Sequence, residues 1–402
     1  MHICLFSVLG TSEKLQNWGG VQTHAKNLVS LLINEGHEVT LITGSGDPVQ
    51  RGPLTITTVG QDFGARPSKS WFEKAYIAFS KVHTNHPVDC VFSEGGSVRG
   101  LMPEMRQNDI PVVAFVHLLS FHYFYNNWQE IDGLQALKSY VFRTVPRIIY
   151  EMIKMDILFF RKCQKIITGS LTIARQLEKY YGVSHNKLKV IYNWVDTNQF
   201  QYDRNSRKDI RSKFSIEDND IAFLMTGALR RAKGFRVALR AFKEFLVKFP
   251  NASLLLSGEG PDRRYLEKNV SCDNTLKDKI KLTGSWNHSE LSGLLSAGDI
   301  FIMPSLMNEV LPYTLLEAMA CELPIIATKI AANKEALGSS GFFFSRGDAR
   351  SLKETMLSLS SDLRLRTATG ALNRKRIVER FSDAATLKKL RVLLAEVLAE
   401  SS

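Results

Sequence analysis

The 402-residue sequence contains no stretch of 18 uncharged apolar residues, so it offers no segment suited to spanning a bilayer. Its five cysteines stand singly, without a CxxC spacing or a paired framework. Their scatter argues against zinc and disulfides and favours a reducing, cytoplasmic compartment. The apolar start, residues 1–9, lacks the basic first residues of a signal peptide and indicates a buried first strand instead.

Several ligand-binding motifs are also missing. The sequence has no G-x-x-x-x-G-K-[ST] phosphate loop, no G-x-S-x-G elbow and no G-x-G-x-x-G after a strand. Asp218 and Asp220 form a D-x-D, but they stand in a polar stretch before a strand, where turn residues are expected. His83 and His86 lack the neighbouring carboxylate and cysteine side chains of a metal site, so we expect two surface histidines. We therefore predict no metal site.

The composition, with 44% hydrophobic and 23% charged residues, is that of a folded globular protein. A net charge of +12 favours anionic partners: a nucleotide diphosphate, an anionic lipid surface or nucleic acid. Because no nucleic-acid-binding module is recognisable, we expect no nucleic acid partner.

The chain opens with a strand at 1–8, a helix at 21–36 and a second strand at 38–43, which together predict a βαβ unit. A polar stretch at 197–220 indicates an interdomain connection, and alternation of strands and helices restarts at 221–225. We predict an α/β protein with two doubly wound parallel sheets. Ligands bind at the carboxyl ends of such strands, so we expect the site in the cleft between the two halves.

The strongest local signal is an E-x₇-E pair, Glu309 and Glu317, at the junction between a strand predicted at 300–304 and a helix predicted at 313–320. Pro312 suits the first turn of the helix because no amide hydrogen is needed there. The following amides, of Tyr313 and Thr314, would point out of the helix N-terminus, which suits a diphosphate. The pair alone is equally compatible with Glu317 being a surface helix residue.

The surrounding sequence resembles glycosyltransferase family 4. The resemblance covers nearly the whole chain, and its motifs occur in the family's order. They are GGVQTH at 19–24, GHEVTLIT at 36–43, VIYNWVD at 190–196, KG at 233–234, GEGP at 258–261, FIMPSLMNE at 301–309 and LEAMACELPIIA at 316–327.

This resemblance implies the GT-B fold, with two Rossmann-like doubly wound parallel-sheet domains facing a central cleft. An acceptor-side domain would cover 1–198 and a donor-binding domain 199–377, with a helix at about 378–402 packing back on the first. The implied activity is metal-independent, retaining transfer of a hexosyl group from a nucleotide-diphosphate sugar. The acceptor would be a glycan hydroxyl, lipid-linked or belonging to the cell envelope, and no cofactor is implied.

The resemblance also implies roles for individual residues. Glu309 would bind hydroxyls of the transferred sugar, Glu317 the ribose hydroxyls, and His117 would lie near the sugar. Lys233 would be catalytic together with His117 and Glu309, as a compact positive charge for the diphosphate. The donor-binding positions besides Glu317 are Gly19, Gly20, Arg230, Arg231, Pro312, Tyr313 and Thr314.

Two departures from the family pattern bear on the donor site. Ala228 stands where the family has an arginine, and Arg230 or Arg231 either replaces it or is only a surface charge. Pro312 stands in place of a glycine and removes one amide donor. The missing arginine keeps open the alternative of a non-catalytic nucleotide-sugar-binding protein. A second alternative is a GT-B-fold sugar-nucleotide epimerase, which would need acid/base residues across the sugar, and the sequence offers no such carboxylate set beyond Glu309.

The segment 134–165 contains seven Lys or Arg residues against Glu151 and Asp156, interleaved with apolar side chains. One interpretation is a helix or helix pair on an anionic membrane surface, on the inner face of the membrane. The other is ordinary packing with a solvated basic face.

Overall fold

A computed structural model describes residues 1–9, 19–60, 67–120, 122, 128 and 134–400. Its contacts divide the chain into two compact units. Unit 1 comprises Met1–Tyr123, Val141–Tyr192 and Leu387–Ser402, and unit 2 comprises Phe124–Tyr140 and Asn193–Thr386.

Unit 1 is built on an eight-stranded sheet in the order β3-β4-β2-β1-β5-β6-β7-β8. All neighbouring strands are parallel except β3, which pairs with β4 in antiparallel fashion. Strands β1, β5, β6 and β7 are buried along their whole length, as expected for a parallel sheet covered on both faces. The strands are β1 His2–Ser7, β2 Glu38–Thr43, β3 Val49–Arg51, β4 Leu54–Thr58, β5 Cys90–Glu94, β6 Val112–Val116, β7 Lys165–Thr168 and β8 Leu188–Val190.

Helices connect these strands, and the short antiparallel pair β3 and β4 is an element that the sequence analysis did not predict. The first half of the unit contains α-helices Gly20–Asn34, Lys69–Asn85 and Met102–Gln107 and a 3₁₀ turn Arg99–Leu101. In the second half, α- and π-helical turns follow one another: π Tyr140–Thr144, α Val145–Tyr150, π Glu151–Ile157 and α Leu158–Lys162, then α Leu171–Tyr181 and a 3₁₀ turn His185–Lys187.

The C-terminal helix Asp383–Ala399 contributes its residues from Leu387 onward to unit 1. Arg391 forms a bidentate pair with Glu35, at 2.5 and 2.9 Å. Lys165, on β7, is buried and its Nζ lies 2.5 Å from Oε1 of Glu400. Lys165 is therefore a structural ion-pair residue and does not belong to the basic surface predicted for 134–165.

Unit 2 contains a six-stranded parallel sheet in the order β11-β10-β9-β12-β13-β14. Its core is rich in aromatic side chains, with Phe223, Phe242 and Phe245 packed edge-to-face or stacked and inaccessible to solvent. The strands are β9 Ile221–Thr226, β10 Ala252–Ser257, β11 Ile280–Gly284, β12 Ile300–Met303, β13 Ile325–Thr328 and β14 Gly341–Phe344.

The helices of unit 2 include one in the stretch predicted as an interdomain connection. Helix Arg204–Lys213 begins at Asp203, whose carboxylate accepts hydrogen bonds from the amides of residues 205 and 206. Arg211 is buried and donates to Asp299, so the polar stretch is part of the domain. The unit's helices are Leu134–Ser139, Arg204–Lys213, Phe235–Leu246, Arg263–Ser271, Leu291–Ala297, Tyr313–Ala320, Ala331–Leu337, Ala349–Ser360 and Leu363–Arg380, with 3₁₀ turns Arg231–Lys233 and Gly338–Ser340.

Both sheets are doubly wound, as predicted, and each has one point where the strand order reverses. In unit 1 it lies between β1 and β5, and in unit 2 between β9 and β12. Ligands of such sheets bind beyond the carboxyl ends of the strands at this point. Among the described residues, no helix has both the length and the apolar character needed to cross a membrane.

Candidate functional site

In unit 2, the loops after β9 and β12 approach each other closely. Gly234 has a φ of +78°, and a Cβ at this position would lie 1.9 Å from the backbone oxygen of Pro304. Only glycine fits both the backbone conformation and the space. This contact brings Lys233, just before the glycine, to the end of β12.

The side chains of Lys233 and Glu309 meet there. Nζ of Lys233 lies 2.7 Å from Oε1 of Glu309, which also accepts a hydrogen bond of 2.9 Å from the Ser305 hydroxyl. The lysine side chain is 29% exposed and the glutamate 10%, so the pair borders solvent without being freely solvated. The sequence analysis assigned both residues but did not predict that they contact each other or that Ser305 joins them.

The loop between Glu309 and the next helix is held by Asn193. Its side-chain amide donates to the backbone oxygen of Leu311 at 2.7 Å, and both residues are buried. Pro312 follows as the N-cap of helix Tyr313–Ala320, whose bounds are those predicted. The first amides of a helix have no intrahelical acceptor, so this end can bind an anion.

Glu317 lies inside that helix with only 3% of its side chain exposed. Its Oε1 accepts a hydrogen bond of 3.0 Å from Nε2 of His288. Gln199 donates to the backbone oxygen of His288 at 3.0 Å and lies 3.4 Å from its Nδ1. A buried, oriented carboxylate is not a surface helix residue, which removes that alternative for Glu317. The sequence analysis missed His288, which carries no family signal.

Arg230 and Arg231 precede Lys233 in the same loop. Arg230 is exposed and Arg231 half-buried. Within the described part of the chain, neither guanidinium has an ion-pair or hydrogen-bond partner. Both are therefore available to an anionic ligand, and Ala228, in the position of the family's arginine, is also exposed.

Unit 1 contains a pocket at the carboxyl ends of β1, β5 and β6, with a volume of about 170 Å³. Phe159 and Phe160 form part of its apolar lining. Its polar lining comes from Ser7, Glu94, Ser97, Arg99, His117, Ser120, Glu151 and Asp156.

Beneath this pocket, a buried carboxylate joins two histidines from different elements. Glu94, the last residue of β5, has 1% of its side chain exposed. Its Oε1 lies 2.8 Å from Nδ1 of His24 on the first helix, and its Oε2 contacts Nε2 of His117, which follows β6. The two imidazole rings meet edge-on, with centroids 4.6 Å apart. Of the three, the sequence analysis assigned a role only to His117.

Electrostatics keep Glu94 ionised in this environment. Burial raises the pKa of Glu94, but the charges of His24 and His117 and the hydrogen bonds from both rings outweigh it and lower the pKa to about 2. Burial lowers the pKa of His24, against the opposing effect of Glu94. The carboxylate therefore accepts a hydrogen bond from each ring.

The glycines predicted to approach the diphosphate lie at the start of the first helix. Gly19 is its N-cap, with its backbone amide donating to the Gln22 side chain at 2.9 Å, and Gly20 is exposed at the first turn. Most of the loop before them, 10–18, lies outside the described residues, so the predicted contact with the diphosphate stays a prediction.

Two groups of side chains in the described part of the chain are close enough to hold a metal ion, with ligand atoms within 4.8 Å of one another. One is the Glu94 cluster. The other joins His2, Glu38 and His86, so the statement that His86 lacks a neighbouring carboxylate was wrong: strand pairing places Glu38 beside His2. Both ring nitrogens of His2 already have hydrogen-bond partners, Pro87 and Thr40, as expected for a structural histidine.

Two family models match successive parts of the chain. The model of Glycosyltransferase Family 4 matches residues 18–199, and that of Glycosyl transferases group 1 matches residues 206–376. One relative is a component of the human phosphatidylinositol N-acetylglucosaminyltransferase. It is 23% identical over 373 residues, which cover 91% of this chain and 70% of the relative.

Solved structures are similar over the whole length. Sucrose-phosphate synthase from Thermosynechococcus elongatus matches with a TM-score of 0.80 at 18% identity, covering 99% of both chains. The Anabaena protein Alr3699/HepE in complex with UDP-glucose matches with a TM-score of 0.72 at 15% identity, covering 98% of this chain and all of the other. The predicted GT-B fold is thereby confirmed, and the chain belongs to glycosyltransferase family 4.

Proposed function

We propose that this enzyme transfers a hexosyl group from a nucleotide-diphosphate sugar to a hydroxyl of a lipid-linked or cell-envelope glycan acceptor, with retention of anomeric configuration. The proposal depends on the contact of Lys233 with Glu309 at the point of unit 2 where the strand order reverses. It combines a cation for a phosphate with a carboxylate for sugar hydroxyls on one ligand-binding edge. Alr3699/HepE, similar in fold, is described in complex with UDP-glucose, which supports this class of donor.

Each part of the donor then has a binding group. Lys233, with Arg230 and Arg231, binds the diphosphate together with the amides at the helix N-terminus after Pro312. Glu317, buried and oriented by His288, accepts hydrogen bonds from the ribose hydroxyls. Glu309 binds hydroxyls of the hexosyl group; its Oε1 is already engaged by Lys233 and Ser305, which suits a binding group better than a nucleophile.

Bond breaking at the anomeric carbon leaves negative charge on the departing diphosphate. Fixed positive groups stabilise that charge in the transition state, which resembles an oxocarbenium ion beside a phosphate. The leaving phosphate takes the proton of the acceptor hydroxyl, which attacks on the same face, so no covalent protein intermediate forms. In this proposal Lys233 and the arginines take the part that a metal has in other transferases.

The acceptor binds in the pocket of unit 1, and the protein attaches peripherally to the cytoplasmic face of a membrane through 141–162. The outer side of this helical segment exposes apolar side chains, with Phe142 77% exposed, while Glu151, Asp156, Phe159 and Phe160 line the pocket. A head group that extends from the lipid surface would therefore enter this pocket directly. The name of the human relative includes a phosphatidylinositol, which supports a lipid acceptor. The segment's exposed cations are Arg143, Arg147, Arg161 and Lys162.

The test is hydrolysis and transfer with a panel of UDP-, GDP- and ADP-linked hexoses, followed by proton NMR of the released sugar. We expect turnover of at least one α-linked donor, with the α-anomer appearing first. Initial release of the β-anomer would refute retention. Conversion of a donor into its epimer, or tight binding without any turnover, would contradict transfer as the activity.

A further inference from the structure

The network beneath the pocket of unit 1 places its hydrogens in one defined pattern. An ionised carboxylate can only accept hydrogen bonds, so the ring nitrogen that faces each oxygen of Glu94 must carry a hydrogen. These are Nδ1 of His24 and Nε2 of His117. When the His117 ring is neutral, its single N–H is the Nε2–H that faces Glu94, and Nδ1 then has a lone pair.

That nitrogen is the one left for a ligand. His117 lines the pocket, and 20% of its side chain is exposed. In the described part of the chain, Nδ1 of His117 has no hydrogen-bond partner. The ring therefore offers an acceptor, not a donor, to a group bound in the pocket.

We infer that Glu94 and His24 are positioning residues, which hold His117 in the tautomer that accepts a hydrogen bond from a ligand hydroxyl. The pocket would then select a neutral, hydroxyl-rich head group over an anionic one. This inference rests on the proposed function, because that proposal assigns the acceptor to this pocket. It gives His117 a role toward the acceptor, whereas the family resemblance places this histidine near the transferred sugar.

The charges around the pocket favour a neutral polyol as the ligand. Glu94, Glu151 and Asp156 supply three carboxylates, of which Glu151 is paired with Arg147 at 3.0 Å, whereas among the described lining residues Arg99 is the one arginine and there is no lysine. Carboxylates and a neutral imidazole all accept hydrogen bonds from hydroxyls. A phosphate or carboxylate ligand would meet like charges and no N–H from His117.

His24 completes the network from the other side. It satisfies the second oxygen of Glu94, and a buried carboxylate oxygen without a donor is costly. With both oxygens engaged, the carboxylate cannot rotate away from His117. The sequence offers only a weak sign of this arrangement, because Glu94 and His24 are 70 residues apart.

The tautomers can be read directly by ¹⁵N NMR of the protein labelled at histidine, without ligand, at pH 8. His117→Gln and His24→Gln variants assign the two signals. Two other histidines serve as internal references. Nδ1 of His83 accepts from the amide of Val88 at 3.0 Å and so has the hydrogen on Nε2, while Nδ1 of His2 faces the Pro87 carbonyl oxygen at 3.1 Å and so has it on Nδ1.

We expect the hydrogen of His117 on Nε2, as in His83, and that of His24 on Nδ1, as in His2. In the Glu94→Gln variant, an NH₂ group takes the place of one carboxylate oxygen, so one histidine faces a donor instead of an acceptor. At least one of the two tautomers must therefore change. A hydrogen on Nδ1 of His117 in the wild type would overturn the inference. Unchanged tautomers in the variant would also overturn it, because Glu94 would then not set them.

Activity is tested with the nucleotide sugar that the wild-type enzyme turns over. Glu94→Gln should lower turnover on the order of 10- to 100-fold, as is typical for residues that orient a functional histidine, and should displace the pH profile. The matched control is Glu178→Gln, which breaks an exposed Glu178–His185 pair and should change neither. Wild-type turnover and pH profile in Glu94→Gln would refute positioning. If no nucleotide sugar is turned over, the proposed function fails, while the NMR result still decides the tautomers.

The ligand class is tested on the same labelled protein with D-glucose and inorganic phosphate at equal concentration. The expected result is a larger change of the His117 signal with glucose. A larger change with phosphate, equal changes, or none with either probe would refute selection of a polyol.

Discussion

Units 1 and 2 use the same edge of the same kind of sheet, yet they build their sites differently. In unit 2, the site depends on close contact between two backbone segments. Gly234 lets the loop that contains Lys233 touch the end of β12. In unit 1, side chains hold the pocket residues instead. A buried carboxylate, Glu94, joins the ends of two strands to a helix through hydrogen bonds.

The difference shows where binding strength and orientation come from. The unit 2 site presents several cations to a ligand with high negative charge, and two of them, Arg230 and Arg231, are unpaired among the described residues. The unit 1 pocket presents acceptors of fixed orientation and an excess of carboxylates. In the proposed function, charge attracts the donor to unit 2, whereas directed hydrogen bonds select the acceptor in unit 1. The following experiments test this contrast, beginning with the largest expected effect.

Loss of either partner of the unit 2 ion pair should abolish most turnover. We expect Glu309→Ala and Lys233→Ala each to reduce kcat on the order of 10²- to 10³-fold, because groups aimed at transition-state charge contribute about that much. Donor hydrolysis measures the effect, and circular dichroism confirms folding. The matched control is Lys243→Ala, which removes an ion pair of 2.6 Å with Asp273 elsewhere in the unit. Turnover lost equally in the control, or kept in both site variants, would contradict the assignment.

Membrane attachment should depend on the basic surface of unit 1. Each cation near an anionic bilayer contributes about 1 kcal/mol, so reversing four of them should lower vesicle binding by more than tenfold. Co-sedimentation with vesicles of 30% phosphatidylserine at low salt measures this. The four residues changed to glutamate are Arg143, Arg147, Arg161 and Lys162.

The control for membrane binding reverses four exposed cations of unit 2. It should bind like the wild type, because these residues lie outside the basic surface. Equal loss in both variants would mean that net charge alone governs binding. Absence of wild-type binding at low salt would refute attachment. The control residues are Arg204, Lys208, Arg240 and Lys248.

Chelation should have the smallest effect, none beyond assay error. Fixed cations stabilise the leaving diphosphate in the proposed mechanism, so turnover in excess EDTA should equal that in magnesium. Donor hydrolysis after dialysis against the chelator measures it. Complete loss, restored by manganese or magnesium, would show that one of the clusters of histidine and carboxylate side chains, or the donor site itself, requires a metal.

Local sequence predicted the helix that follows β12 well because the signal for its start directly precedes it. Helix Tyr313–Ala320 has its predicted bounds, since Pro312 marks its start. The roles of Glu94 and His288 were not predictable in this way. Each acts through a partner distant in sequence, and only the pairing of strands and helices brings the partners together.

Composition was a poorer guide where polar residues are buried. The stretch 197–220 is charged, but Arg211 is buried and donates to Asp299, so a helix packs where a connection was expected. Similarly, Lys165 lies in a basic segment, but it is buried on a strand and pairs with Glu400. A count of charges cannot distinguish a solvated residue from one with a distant partner.

The most direct test of the division of labour is calorimetric binding of UDP, GDP and ADP to two variants. Hydrogen bonds to a charged group contribute about 1.5 to 3 kcal/mol, so Glu317→Ala should weaken the tightest of these nucleotides about 10- to 100-fold. Asp156→Asn, in the unit 1 pocket, should leave that affinity unchanged. Unchanged binding in Glu317→Ala, together with a loss in Asp156→Asn, would contradict the assignment of the donor to unit 2 and the acceptor to unit 1.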